Sequence, residues 1–262
     1  DIDEKIIDDI IFYAVISAII GSKIYYIIET QSFYMFYINI QNIFIKLFSL
    51  NFEGFIYEMQ NLGSGLVFNG GFICAISLIA IYVYKHKLDF LFLADIIAPY
   101  ILLGHGIGRI GCFLVGDDYG LPTNLPWAVS FPEGLPTTTI NTFMTNFSFL
   151  NYTVEDLSQY LIPGQSNIIT VHPTQLYEMI LYFIGFIFIK SFYSKLNFRK
   201  GSVFSIYLIL GGFFRFIVEF LRTNERYLFN LSSAQFISLI MIFLGSIILI
   251  YLFKKNNAYG NN

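Results

Sequence analysis

Gly104-His105-Gly106-Ile107-Gly108-Arg109-Ile110-Gly111-Cys112-Phe113 closes an apolar run that begins near residue 90. The run is long enough to cross a bilayer, which needs about 20 mostly apolar residues as a helix. It nevertheless carries a histidine, an arginine and four glycines in its second half. Each glycine weakens a helix by about 1 kcal/mol relative to alanine. In a membrane the same glycines allow close backbone packing and leave backbone groups open to a ligand. A helix that only packs has no use for His105 and Arg109, so this stretch reads as a functional site. It runs directly into Gly116-Asp117-Asp118-Tyr119-Gly120, a turn that brings two carboxylates to the membrane surface.

Outward from there, the composition supports a membrane reading. Hydrophobic residues make up 56% of the chain and charged residues only 13%, against about 25% charged in soluble domains. Six stretches qualify as spans, at about 6–28, 62–84, 90–114, 173–193, 202–221 and 233–253. The expected fold is therefore an all-α integral membrane bundle of about six spans. Segment 29–60 is aromatic but broken by Glu29, Asn39, Asn42, Lys46, Asn51, Glu53 and Glu58, and reads as an interfacial arm with an amphipathic helix. Residues 115–172 hold five of the seven prolines and the only tryptophan, and read as a small irregular cap outside the membrane. The expected organisation is 1–114 with three spans and the arm, 115–172 as cap, and 173–262 with three further spans.

Lysines and arginines of short loops set the orientation. Lys85 and Lys87, then Lys195, Arg199 and Lys200, then Lys254 and Lys255 all follow even-numbered spans and should face the cytoplasm. The cap, the arm and the loop 222–232 then face outward. Arg222 and Arg226 break the rule there, and read either as holders of a lipid phosphate or as loop arginines bound to Glu225 and water. No basic stripe suited to nucleic acid exists. Cys74 and Cys112 read as buried free thiols, and no metal-ligand spacing is visible.

Ionisable groups inside the spans carry the functional argument. A charge in hydrocarbon costs roughly 2.5–3.5 kcal/mol on insertion scales. Lys23, Asp95, His105, Arg109, Glu178, Arg215 and Glu219 must therefore be paired, hydrated or used. His105 with Arg109, and Arg215 with Glu219, sit at i,i+4 and share a helix face. The fourth span opens His172-Pro173-Thr174-Gln175-Leu176-Tyr177-Glu178, with Gln175 and Glu178 on one face. Arg215, Glu219 and Arg222 form a stripe with two positive charges and one negative. The surplus points to an anionic ligand, unless Arg222 simply snorkels to the surface.

Together these blocks resemble the prolipoprotein diacylglyceryl transferase family of bacterial plasma membranes. The resemblance rests on Gly108-Arg109-Ile110-Gly111 with Phe113, on Gly116-Asp117 and Gly120, and on Pro126-Trp127-Ala128 with Phe131-Pro132. It continues through His172 to Glu178, Phe214-Arg215, Val218-Glu219-Phe220 and Arg222. It implies transfer of the diacylglyceryl group of phosphatidylglycerol to a lipobox cysteine thiol of a prolipoprotein signal peptide, with glycerol phosphate leaving and no metal or other cofactor. Catalytic roles then fall to Arg109, Arg215 and Glu219, with His105, one turn before Arg109, or Asp117 as the candidate base in place of a family histidine. Donor or acceptor binding would fall to Asn69, Gly70, Gly108, Gly116, Gly120, His172, Gln175, Tyr177, Glu178 and Arg222. The chain departs from the family pattern in two motifs: Asn69 stands where the family has histidine, and Cys112 where it has asparagine. The family also has a further N-terminal span, so six spans are expected here where it has seven. The alternatives are the same lipid pocket serving a different acceptor, and a lipid-binding or transport protein without chemistry.

Overall fold

The computed structural model describes residues 4–30, 32–63, 67–193 and 199–259. Among them the protein is helical, with isolated antiparallel bridges but no strand. It is an all-α membrane protein. It divides into two compact units, Asp1–Asp89 and Phe90–Asn262.

In the first unit, α1 (Glu4–Glu29) packs along α4 (Phe68–Lys85). Small residues let them approach: a Cβ on Gly70 would lie 2.2 Å from the Cβ of Tyr25. Tyr82 donates to the Asp9 carboxylate at 3.0 Å, tying the two helices at one end. Segment 29–60 forms two helices where one was expected, α2 (Phe33–Phe48) and α3 (Phe52–Gly63), packed on each other with no buried residue. The break between them runs through Leu50 in a left-handed conformation, φ 55°.

In the second unit, α5 (Phe90–Val115) lies against α8 (Thr174–Tyr193) and α9 (Ser202–Val218), and α10 (Ser233–Tyr259) covers α9. Ala98, Leu102, Tyr182, Ile189, Val203 and Phe214 form its buried apolar core. Among the described residues, four helices are long and apolar enough to cross a membrane, within α1, α5, α9 and α10. The shorter α4 and the 20-residue α8 fall on the other two expected spans.

Asp95, one of the charges inside an apolar run, has a local task. Its two oxygens accept the N–H groups of Gly201 at 2.6 Å and Phe204 at 2.7 Å. These are orphan donors of the first turn of α9, which begins after Gly201 at φ 94° with no side-chain cap of its own. A carboxylate on α5 thus caps α9 and complements its positive end.

The cap is built from α6 (Ile140–Thr145), α7 (Val154–Ser158) and irregular chain around Tyr119, Phe143, Leu157, Ile169 and Val171. Thr139 caps α6, and a reciprocal Thr153–Asp156 pair caps α7. The cap joins the helices through backbone bonds. Gly120 N–H donates to His172 at 2.9 Å, and Leu121 N–H donates to Leu221 at 2.8 Å. Glycine is required at 120, because a Cβ there would sit 2.4 Å from the Leu221 carbonyl oxygen.

Candidate active site where the cap meets the helices

α5 brings Arg109, α8 brings Glu178, α9 brings Arg215, and the 3-10 turn Glu219–Leu221 with the residue after it brings Glu219 and Arg222. Glu178 is fully buried and is the hub. Its Oε2 pairs with Arg109 Nε, its Oε1 takes Arg215 Nη1 at 2.5 Å, and Arg222 Nη1 stands 3.8 Å from the same Oε1. Glu219, also buried, takes Arg215 Nη2 at 3.0 Å, with Arg222 Nε at 3.7 Å. Its other oxygen accepts from Ser232 Oγ at 2.7 Å and Asn224 Nδ2 at 2.6 Å. Asp118 completes the group, bridging Arg109 Nη1 at 2.7 Å and Arg222 Nη2. Burial alone would raise the Asp118 carboxyl, but Arg222 and Arg109 beside it hold it below its ordinary value.

The arginine surplus read along the fifth span does not survive in three dimensions. Three guanidinium groups face three carboxylates, because Glu178 and Asp118 arrive from elsewhere in the chain. Nor does Arg222 snorkel: its side chain is 3% exposed. Arg226 is not paired with Glu225. It donates to the Phe220 carbonyl at 2.9 Å and lies over the Phe220 ring, while Glu225 accepts from Tyr227. Arg222 and Arg226 both line a cavity of about 380 Å³, together with Asn224, Glu225 and Tyr152 of the cap.

Asp117 and Asp118 are turned differently. Gly116 (φ 71°) and Asp118 (φ 57°) both take left-handed backbone, and the turn they make directs Asp118 at the arginines. The first turn of α8 clamps this turn: Gln175 donates to the Asp117 carbonyl, and Thr174 Oγ1 to the Asp118 carbonyl at 2.7 Å. Pro173 precedes the helix and its carbonyl accepts the Tyr177 N–H, so its missing donor costs no bond. Cys112 Sγ and carboxylate oxygens of Asp117 and Asp118 lie within 4.8 Å of one another. Arg109 Nη1 reaches both Cys112 Sγ, at 3.5 Å, and Asp118. A metal ion in that group would have to displace a guanidinium.

A second polar chain links the cap to the first turn of α8. Trp127 Nε1 donates to Tyr177 OH at 2.7 Å, and Tyr177 OH lies 3.2 Å from His172 Nδ1. Trp127 can only donate, so Tyr177 OH accepts from it and keeps its own proton for a further partner. Burial holds the His172 pKa below its ordinary value.

The remaining expected residues divide. His105 is exposed, one turn before Arg109, with its ring edge-on to Tyr182 at 5.3 Å. Arg109 takes carboxylates as partners rather than this histidine. Among the described residues, Gly106 of α5 is packed under Phe183, whereas Gly104, Gly108 and Gly111 face open space. Close helix packing is therefore not what those three provide; their backbone is accessible. Gly70 sits at the α1–α4 contact in the other unit, and the Asn69 side chain lies outside the described residues. Asp118, Ser232 and Asn224 are site residues that sequence reasoning missed. The second carboxylate of the Asp117-Asp118 pair was the one available signal.

The family model described as prolipoprotein diacylglyceryl transferase matches residues 1–251. A relative from Finegoldia magna, named phosphatidylglycerol--prolipoprotein diacylglyceryl transferase, is 32% identical over 95% of this chain and 79% of its own length. One of the same name from Clostridium tetani is 37% identical over 71% of this chain and 64% of its own. Another from Aeromonas hydrophila is 27% identical over 98% of this chain and 77% of its own. The arginine–carboxylate cluster is thus seated in a chain that belongs to the prolipoprotein diacylglyceryl transferase family.

Proposed function

We propose that this protein transfers the diacylglyceryl group of phosphatidylglycerol to the cysteine thiol of a prolipoprotein lipobox, on the extracytoplasmic side of a bacterial plasma membrane. The sulfur attacks the glyceryl carbon that bears the phosphate. A C–S bond forms, the C–O bond breaks, the thiol proton passes to a base, and glycerol phosphate leaves. The observation that carries the reading is the convergence of Arg109, Arg215 and Arg222 on the buried Glu178, at the junction of apolar helices and a polar cap. Fixed guanidinium groups stabilise a developing phosphate dianion without reorganising as the bond breaks.

Other features have consistent roles in this reading. Gly104, Gly108 and Gly111 leave a smooth strip of α5 open beside Arg109, suited to an acyl chain. His105, one turn before Arg109, is one candidate base. Asp117 is the other candidate. Lysine-rich loops on the opposite side support the outward orientation of the cap.

The test uses the full chain in detergent or nanodiscs with labelled phosphatidylglycerol and a lipobox peptide. A lipidated peptide plus released glycerol phosphate is the expected result. Retained phosphatidylglycerol binding with no transfer, beside an active family member, would defeat the reading. It would leave a lipid site with another acceptor or none, which Asn69 and Cys112 would then explain.

A further inference from the structure

Asp118 is the one acid of the cluster that is not buried. Its side chain is 42% exposed, against 20% for Arg109 and 3% for Arg222. It is the outer member of the group, with one oxygen on each of those two arginines. A phosphodiester offers the same thing: one negative charge shared between two oxygens. We propose that the Asp118 carboxylate is a resident competitor, occupying the subsite between Arg109 and Arg222 that the donor's phosphodiester takes, and so setting the donor's affinity. The proposal rests on the reading of the site as a phospholipid-headgroup site.

Three observations support an exchange of this kind. First, the cluster has no spare positive charge: three guanidinium groups pair with three carboxylates, and the Asp117 carboxylate lies within 4.8 Å of Asp118. A monoanion added to it would be in excess, whereas a monoanion that replaces Asp118 leaves the balance unchanged. Second, the inner acids hold the arginines without Asp118: Glu178 pairs with Arg109 and Arg215, and Glu219 lies between Arg215 and Arg222. Third, the Asp118 backbone is fastened independently of its side chain. Thr174 Oγ1 holds its carbonyl at 2.7 Å, and Gln175 holds the carbonyl before it. The carboxylate can therefore leave by rotating about its own side-chain bonds while the turn stays in place.

The experiment compares the unaltered full chain with Asp118→Asn, Asp118→Gly and Asp118→Glu in nanodiscs. Binding of fluorescent short-chain phosphatidylglycerol is titrated without acceptor, and thioether formation is measured separately. Removing the carboxylate should tighten phosphatidylglycerol binding roughly three- to tenfold, the range of a partly exposed charge-assisted pair. Asp118→Glu should stay near the original affinity. Asp118→Gly guards against misfolding, because φ 57° is a conformation glycine adopts freely. Unchanged or weaker binding in both carboxylate-free variants overturns the proposal, as does loss of folding in both, which would make Asp118 a structural partner. Tighter binding with no thioether from any form keeps the resident carboxylate and sinks the transferase reading. Thioether formation with unchanged affinity does the reverse.

Discussion

Glu178 is the residue on which the site depends most, because a fully buried carboxylate serves two guanidinium groups at once. Glu178→Gln should cost about 3–5 kcal/mol, the range for breaking one side of a buried pair, and should abolish transfer. Thermal melting and the peptide assay together check this; a variant that melts normally and works would reduce Glu178 to a bystander. Arg109→Lys keeps the charge but not the fork that reaches Glu178 and Asp118 together. Turnover should fall about 100-fold or more, with phosphatidylglycerol still bound. At this scale much was legible. Arg109, Arg215, Glu219, Glu178 and Gln175 stand out as polar groups that hydrocarbon does not tolerate alone. The arginine count was misread because only neighbours along one helix were summed. The offsetting acids come from α8 and from the turn after α5. Which of Asp117 and Asp118 faces the arginines is decided by the backbone at 116–118, and a left-handed φ leaves no mark on an Asp-Asp pair.

Among the elements, α9 shows how a charge in an apolar run can be structural. Asp95 on α5 takes two N–H groups at the start of α9, and Arg215 stands near its far end. Asp95→Ala should destabilise the protein by about 1–2 kcal/mol, as loss of a strong N-cap does, while leaving phosphatidylglycerol affinity unchanged. Melting of the variant beside a lipid titration separates the two effects, and a large affinity loss would show that Asp95 tunes the site through α9. Apolar length located the long helices, with ends within about six residues, because twenty apolar positions in a row have few other uses. It failed in the arm, where a left-handed Leu50 divides one expected helix into α2 and α3. The capping role of Asp95 was hidden for a different reason: its partners lie over a hundred positions away, and chain spacing says nothing about them.

For the whole molecule, pH should act on groups outside the spans in two distinct windows. Burial lowers the pKa of His172, so the unfolded chain binds the proton first as pH falls below about 6.5. Stability contributed by the neutral ring is complete above that value and is lost on the acid side. Asp118 is held below its ordinary value near 4, so its pairing with Arg109 and Arg222 persists until pH falls through that lower range. Melting temperature should therefore decline gently below about pH 6.5 and again below about pH 4; His172→Gln should flatten only the first decline. The backbone joints at Gly120 and Leu121 have a wider consequence. α5 leads into the short segment that holds both bonds, and through them that segment is fastened to the entry of α8 and the exit of α9. The helices that carry Arg109, Glu178 and Arg215 are thus riveted to one hub of peptide bonds. Spacing between the guanidinium groups is then a property of the hub and not of how far each helix reaches through lipid. Bilayers of different thickness should tilt the helices yet leave the guanidinium cluster at its set width, so the transfer rate should vary little from short-chain to long-chain vesicles.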